Sequence, residues 1–165
     1  MKHGSVGTPK LYLGAKFSQM QLPNRVEDYS VSTSQYIQEA VNNVERHLTA
    51  KVMRINRGGT SPLSPGYFPE LYFSPDLDPQ DASYYQSLIG ILRWMVEMGR
   101  IDITCEVSMM SFCAAVPREG HLHQLLHLFA YLKSHHNARI VFDPSYQDID
   151  SDQFPRREWR ILYGE

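Results

Sequence analysis

Between Lys51 and Leu77 the chain carries Pro62, Pro65, Pro69 and Pro75, with Gly58-Gly59 ahead of them and Pro79 just beyond. Proline lacks the backbone N–H that helix and ladder need, and the residue before it is pushed out of helical geometry. No regular element can therefore run through residues 51–77, and they are expected to form an extended linker rather than a packed element. Whatever folds here must be built from two flanking pieces.

The first piece, residues 1–50, combines strand and helix patterns. Leu11-Tyr12-Leu13-Gly14-Ala15-Lys16-Phe17 is a short apolar stretch, with partial alternation continuing through Met20 and Leu22. Pro23-Asn24-Arg25 supplies a turn signal, and Tyr29 and Val31 fit a return strand, which predicts a β-hairpin over 10–31. Gly14, inside the first strand, suggests a bulge or a close backbone approach. Ser32 is placed to cap a following helix, with Gln35 completing a capping box. Ile37, Ala40, Val41, Val44 and Leu48 then form one apolar stripe at helical spacing.

The second piece, residues 78–136, reads as three helices. Asp78 caps the first, with Pro79 at its opening position, and Tyr85, Leu88, Ile89, Leu92 and Met95 line one face up to Gly99. Asp102 is expected to cap the second, which carries Val107, Met110 and Cys113 and stops before Pro117. The third runs from about Arg118 to Ser134 on Leu122, Leu125, Leu126, Phe129 and Leu132. Short connections predict that the three pack as an antiparallel bundle. Arg139–Phe142 is expected as a short strand, and the rest of 137–165 is a polar, loose tail. The fold class is thus α+β, mainly α.

Composition narrows the function. The 165 residues carry a formal charge of −2, so the strongly basic balance of a free-standing nucleic-acid binder is missing. Any contact with phosphates must be local. Cys105 and Cys113 are the only cysteines, too few for a disulfide framework, and are expected as small core residues of a helix. No apolar run reaches the roughly 18 residues that span a bilayer. The expected location is the cytosol or nucleus, away from membranes and not secreted.

The inventory of reactive constellations is short. His121, His123, His127, His135 and His136 crowd together, and His123 and His127 share the i, i+4 geometry of zinc proteases. The position that supplies the base in HExxH is Gln124, an amide that takes up no proton, and no third ligand is evident. The plainer reading is a polar helix face, with His121 bonding backbone near the helix start. Nucleotidyl transfer needs carboxylates converging on paired divalent ions, yet no Asp-Asp pair occurs, and Asp148, Asp150 and Asp152 alternate in the polar tail. There is no nucleophile elbow and no phosphate-binding glycine loop. Lys51, Arg54 and Arg57 follow the first helix. They suit phosphate contacts, or equally a solvated helix end whose cations complement its dipole.

From Ser83 to Ser145 the chain is similar to the region after the palm in copia-type retrotransposon Pol polyproteins. The resemblance rests on Tyr85, Gly90 and Trp94; Arg100-Ile101-Asp102-Ile103; Pro117 and His121; and Tyr131-Leu132-Lys133. The family more often has Arg-Pro-Asp where Ile101 stands. Leu11-Tyr12-Leu13-Gly14-Ala15 resembles the family's Tyr-Leu-Gly element, and Ser34-Gln35-Tyr36-Ile37 its Ser-Gln-x-Tyr helix start without the spacer. Each match is short, but together they follow the family's order along nearly the whole chain.

This resemblance implies the primer-grip, thumb and RNase H connection of a reverse transcriptase. Tyr12, Leu13, Gly14 and Lys16 would hold a primer strand, with Gln35 and Gln38 on the thumb helix supporting a primer–template RNA/DNA duplex. For Tyr12 and Leu13, core packing is the competing reading. By family order the paired catalytic aspartates would precede Met1 and the RNase H carboxylates would follow Glu165. The chain alone is then expected to be no enzyme and to need no cofactor, magnesium belonging to the intact parent with its palm and RNase H domains. Two other classes compete: a helical module adopted for protein interaction, and a small metal-binding protein using the histidines.

Overall fold

The N-terminal hairpin signals resolve into three strands, not two: β1 (Leu11–Tyr12), β2 (Ala15–Gln21) and β3 (Glu27–Ser32). The computed structural model describes residues 10–22, 27–52, 54–55, 59–68 and 73–142, so the Pro23-Asn24-Arg25 turn signal and the polar tail lie outside the described residues. The expected bulge at Gly14 is instead a tight turn. Leu13 and Gly14 have φ of +49° and +88°, and Tyr12 pairs with Ala15 across them. Positive φ at both central residues is what a two-residue hairpin with right-twisted strands requires. Glycine adopts it freely, and Leu13 is carried with it against its own preference.

Beyond β3 the chain enters α1 (Ser34–Ala50), and the predicted stripe of Ile37, Ala40, Val41, Val44 and Leu48 is the buried face. The Ser32–Gln35 capping box does not form. Ser32 stays in the sheet, its hydroxyl 3.4 Å from the Ser34 N–H and 3.5 Å from the Ala138 carbonyl, while Gln35 turns outward to donate to Glu39.

The second half carries α2 (Pro79–Glu97), α3 (Thr104–Phe112), α4 (Glu119–Ser134) and β4 (Arg139–Phe142), with 3-10 turns at Ile101–Ile103 and Cys113–Ala115. Asp78 caps α2 by accepting the N–H of Asp81 at 2.8 Å, and Gly99 follows the helix end at φ +114°. Asp102, by contrast, does not cap α3. The guanidinium of Arg100 holds its carboxylate in a fork, with both contacts at 2.7 Å. A charge-assisted pair of bonds outcompetes one backbone amide. Cys105 is exposed and Cys113 half-buried, because Val107 and Met110 take the short inner face of α3.

One hydrophobic core joins all four helices, from Ile37 to Leu132. The bundle expected from α2, α3 and α4 alone is therefore completed by α1, which packs along α4. The linker is also packed, contrary to expectation. Ile55, Leu63 and Tyr67 lie against the core. Buried Gln124 accepts from the N–H of Ser64 at 3.4 Å and donates to the carbonyl of Pro62 at 3.3 Å. Prolines forbid regular hydrogen bonding there but leave the apolar side chains between them free to be buried.

The sheet has the order β1-β2-β3-β4, all neighbours antiparallel. β4 is where the sequence places it, but its partner is β3, so the end of the helical half closes onto the N-terminal hairpin. Ile140 seats the sheet on the end of α2: a Cβ on Gly99 would stand 2.8 Å from its Cδ1.

Candidate nucleic-acid interface

β1 and its two-residue turn leave three apolar side chains in solvent. Leu11, Tyr12 and Leu13 are 66%, 60% and 54% exposed. Core packing, the competing reading for Tyr12 and Leu13, is thereby overturned. Gly14 rests on the first turn of α1, where an added Cβ would meet the Tyr36 ring at 3.4 Å. The tip is thus fixed beside Gln35, which is exposed. Lys16, also exposed, lies one pair inward, opposite Ser32.

Along α1 the exposed face continues as Gln38, Asn42 and Arg46 at helical spacing. Gln38 meets His136 from the end of α4, its Nε2 lying 3.3 Å from the ring Nδ1, which is also 2.8 Å from the Ser34 hydroxyl. Asn42, Lys133 and His136 join Gln38 around a shallow groove of about 300 Å³. Sequence reasoning did not place Asn42, Lys133 or His136 beside Gln38. The amides at helical spacing were a readable signal for Asn42; nothing local connected residues 133–139 to α1.

The structure therefore sets Leu13 and Gly14 beside the start of α1, where Gln35 and Gln38 are exposed, while Tyr12, paired with Ala15, and Lys16, paired with Leu11, point to opposite faces of the sheet. It separates the other basic candidates from them. Lys51 stands 16 positions after Gln35, about 24 Å along the helix axis, and forms an ion pair with Asp81. Arg54 follows it on the exposed side, and Arg57 lies outside the described residues.

A second concavity, about 430 Å³, opens at that far end between α1, α2 and α4. His47 stacks on Tyr84 there, ring centroids 3.8 Å apart. Burial, then the nearby charge of Asp81, push the Tyr84 phenol up to about 12, so it stays protonated near neutrality and is no base. Within the cleft Lys51 pairs with Asp81, and Asp76 pairs with Arg118 beside it, while Asp78 and Glu119 keep the lining acidic.

The histidines do not converge. His121 accepts from the Arg118 N–H at 3.1 Å, His127 lies 3.0 Å from the Ser61 carbonyl, and His135 stacks on Tyr131. Among the described residues no group of three or more His, Cys, Asp or Glu side chains is placed to hold a metal ion. Nor, among them, is any helix long and apolar enough to cross a membrane. Comparison with protein-family models, with curated proteins and with solved structures finds no match to this chain.

Proposed function

We propose that this chain is a non-catalytic, duplex-supporting piece of a copia-type reverse transcriptase. The observation that carries the reading is the juxtaposition of an exposed apolar turn, Tyr12-Leu13-Gly14, with the amide-lined start of α1. Apolar side chains left in water on a rigid turn are suited to press against sugar and backbone. Uncharged amides suit a groove recognised by shape rather than by base sequence. In this reading the polymerase and RNase H carboxylates, with their magnesium, belong to the palm and RNase H domains of the parent protein.

The test is equilibrium fluorescence anisotropy with a labelled RNA–DNA duplex. Affinity should fall about tenfold between 50 and 200 mM salt, the counterion release of about two phosphate contacts. Replacing Tyr12 and Leu13 together by alanine should weaken binding about tenfold, some 1.4 kcal/mol for two half-exposed apolar contacts. No binding at the lower salt refutes the reading.

A protein-interaction module is the second reading. It is favoured by Phe73 and Phe112, both 87% exposed and remote in sequence from the turn. It predicts no duplex affinity at any salt concentration.

A further inference from the structure

Three strands place Lys16, Ser32 and Arg139 side by side, because Ser32 pairs with Lys16 on one flank and with Arg139 on the other. Directly opposed residues point to the same sheet face, so both exposed cations flank the serine on one side. With strands about 4.8 Å apart, Lys16 and Arg139 stand roughly 10 Å from each other across the sheet.

Hydrogen bonds lead from this row to the α1–α4 groove. The Ser32 hydroxyl lies 3.5 Å from the Ala138 carbonyl. Two residues on, Ser34 bonds His136, which reaches Gln38. The groove then continues to Asn42 and Lys133. From Ser34 to Asn42 is about 12 Å of helix, so the whole strip is roughly 20 Å long.

Charge decides what such a strip accepts. Its cations are Lys16, Lys133 and Arg139, against one carboxylate, Glu45, which pairs with Lys133 at 2.6 Å. Glu39 accepts from Gln35 and Arg46 donates to the Asn42 carbonyl, and the two cancel in the net charge. A local excess of two positive charges thus stands out from a chain whose total is −2. The remaining side chains are hydroxyl, amide and imidazole groups that hydrogen-bond phosphate and sugar oxygens without selecting a base.

We propose that this strip binds the sugar–phosphate backbone of one nucleic-acid strand, with Lys16 and Arg139 as the charge contacts and Gln38, Asn42 and His136 as neutral ones. The proposal rests on the duplex-supporting reading above and assigns the end of α4 and β4 to the same contact. A strip of roughly 20 Å matches about six nucleotides at 3.4 Å per phosphate along a strand.

The experiment titrates the full chain with a labelled 20-base-pair RNA–DNA duplex from 50 to 200 mM salt. Lys16→Ala/Arg139→Ala should lower the slope of log affinity against log salt by about two, near 0.9 for each lost phosphate contact. Lys16→Arg/Arg139→Lys should restore the slope, which separates loss of charge from loss of fold. Gln38→Ala/Asn42→Ala should lower affinity with the slope unchanged. Lys51→Ala/Arg54→Ala, at the far end of α1, should change neither. If the wild type binds and Lys16→Ala/Arg139→Ala keeps its slope, the strip is overturned while the duplex reading stands. If the wild type does not bind at 50 mM salt, both fall.

Discussion

Replacing Asp102 by asparagine removes one charge and almost no volume, and it does so beside the most deeply buried cation described in the molecule. Arg100 is 1% exposed, its Nε and one terminal nitrogen are held by the Asp102 carboxylate, and its Nη1 has no partner among the described residues. Breaking a buried pair by neutralising one member costs about 3–5 kcal/mol, since the survivor is left charged in a poorly polarisable site. Asp102 is itself 36% exposed, so water can partly replace it, and asparagine retains one acceptor. The expected loss is therefore nearer 2–3 kcal/mol, a fall of about 5–10 °C in melting temperature for a domain of this size.

The same carboxylate sets a pH signature. Burial pushes the Asp102 carboxyl up, but the hydrogen bonds and charge of Arg100 pull it down further, to a net position below its usual 3.8. A depressed acid stabilises the fold above its unfolded value, and the effect fades as pH falls through the folded one. The gap between wild type and Asp102→Asn, followed by circular dichroism melts, should be constant from pH 5 to 8 and narrow below about pH 4. Arg100→Met/Asp102→Asn should recover much of the loss, because no buried charge remains. A single variant melting within a degree of wild type at pH 7 would refute the argument.

Val52 provides a gain instead of a loss. It follows α1 at φ +59° and is 95% exposed, so Val52→Gly relieves left-handed strain without removing packing. Stability should rise by about 1 kcal/mol, read as roughly 2–4 °C in the same melt; a lower melting temperature contradicts this. Gln124→Ala should free the proline segment, since the amide bridges Ser64 and Pro62. Limited proteolysis should then cut near Gly66 at least several-fold faster, with about 1–3 kcal/mol of stability lost. An unchanged cleavage rate would mean that Leu63 and Tyr67 hold the segment unaided.

Elements were legible wherever their cause was local. The five stripe residues of α1 are its five buried ones, Asp78 and Pro79 begin α2 as expected, and Arg139–Phe142 is β4. Readings failed where a stronger or more distant partner outbid the local backbone. Arg100 took Asp102 from the helix start, β4 held Ser32 in the sheet, and Gln124 drew the proline segment onto the core. At the candidate interface, Tyr12, Leu13, Gly14, Lys16, Gln35 and Gln38 came from sequence. His136 and Arg139 needed the fold, because their neighbours are roughly a hundred residues away in the chain.

The pairing of Ser32 with Arg139 also sets an order of events during synthesis. A ribosome adds about 5–20 residues per second, so the β3 edge waits on the order of 5–20 s for its final strand to emerge. In that interval it is an open template to which another nascent chain can add. Asp28, Ser30 and Ser32 along β3 keep the waiting edge polar, which makes it a poor seed for aggregation.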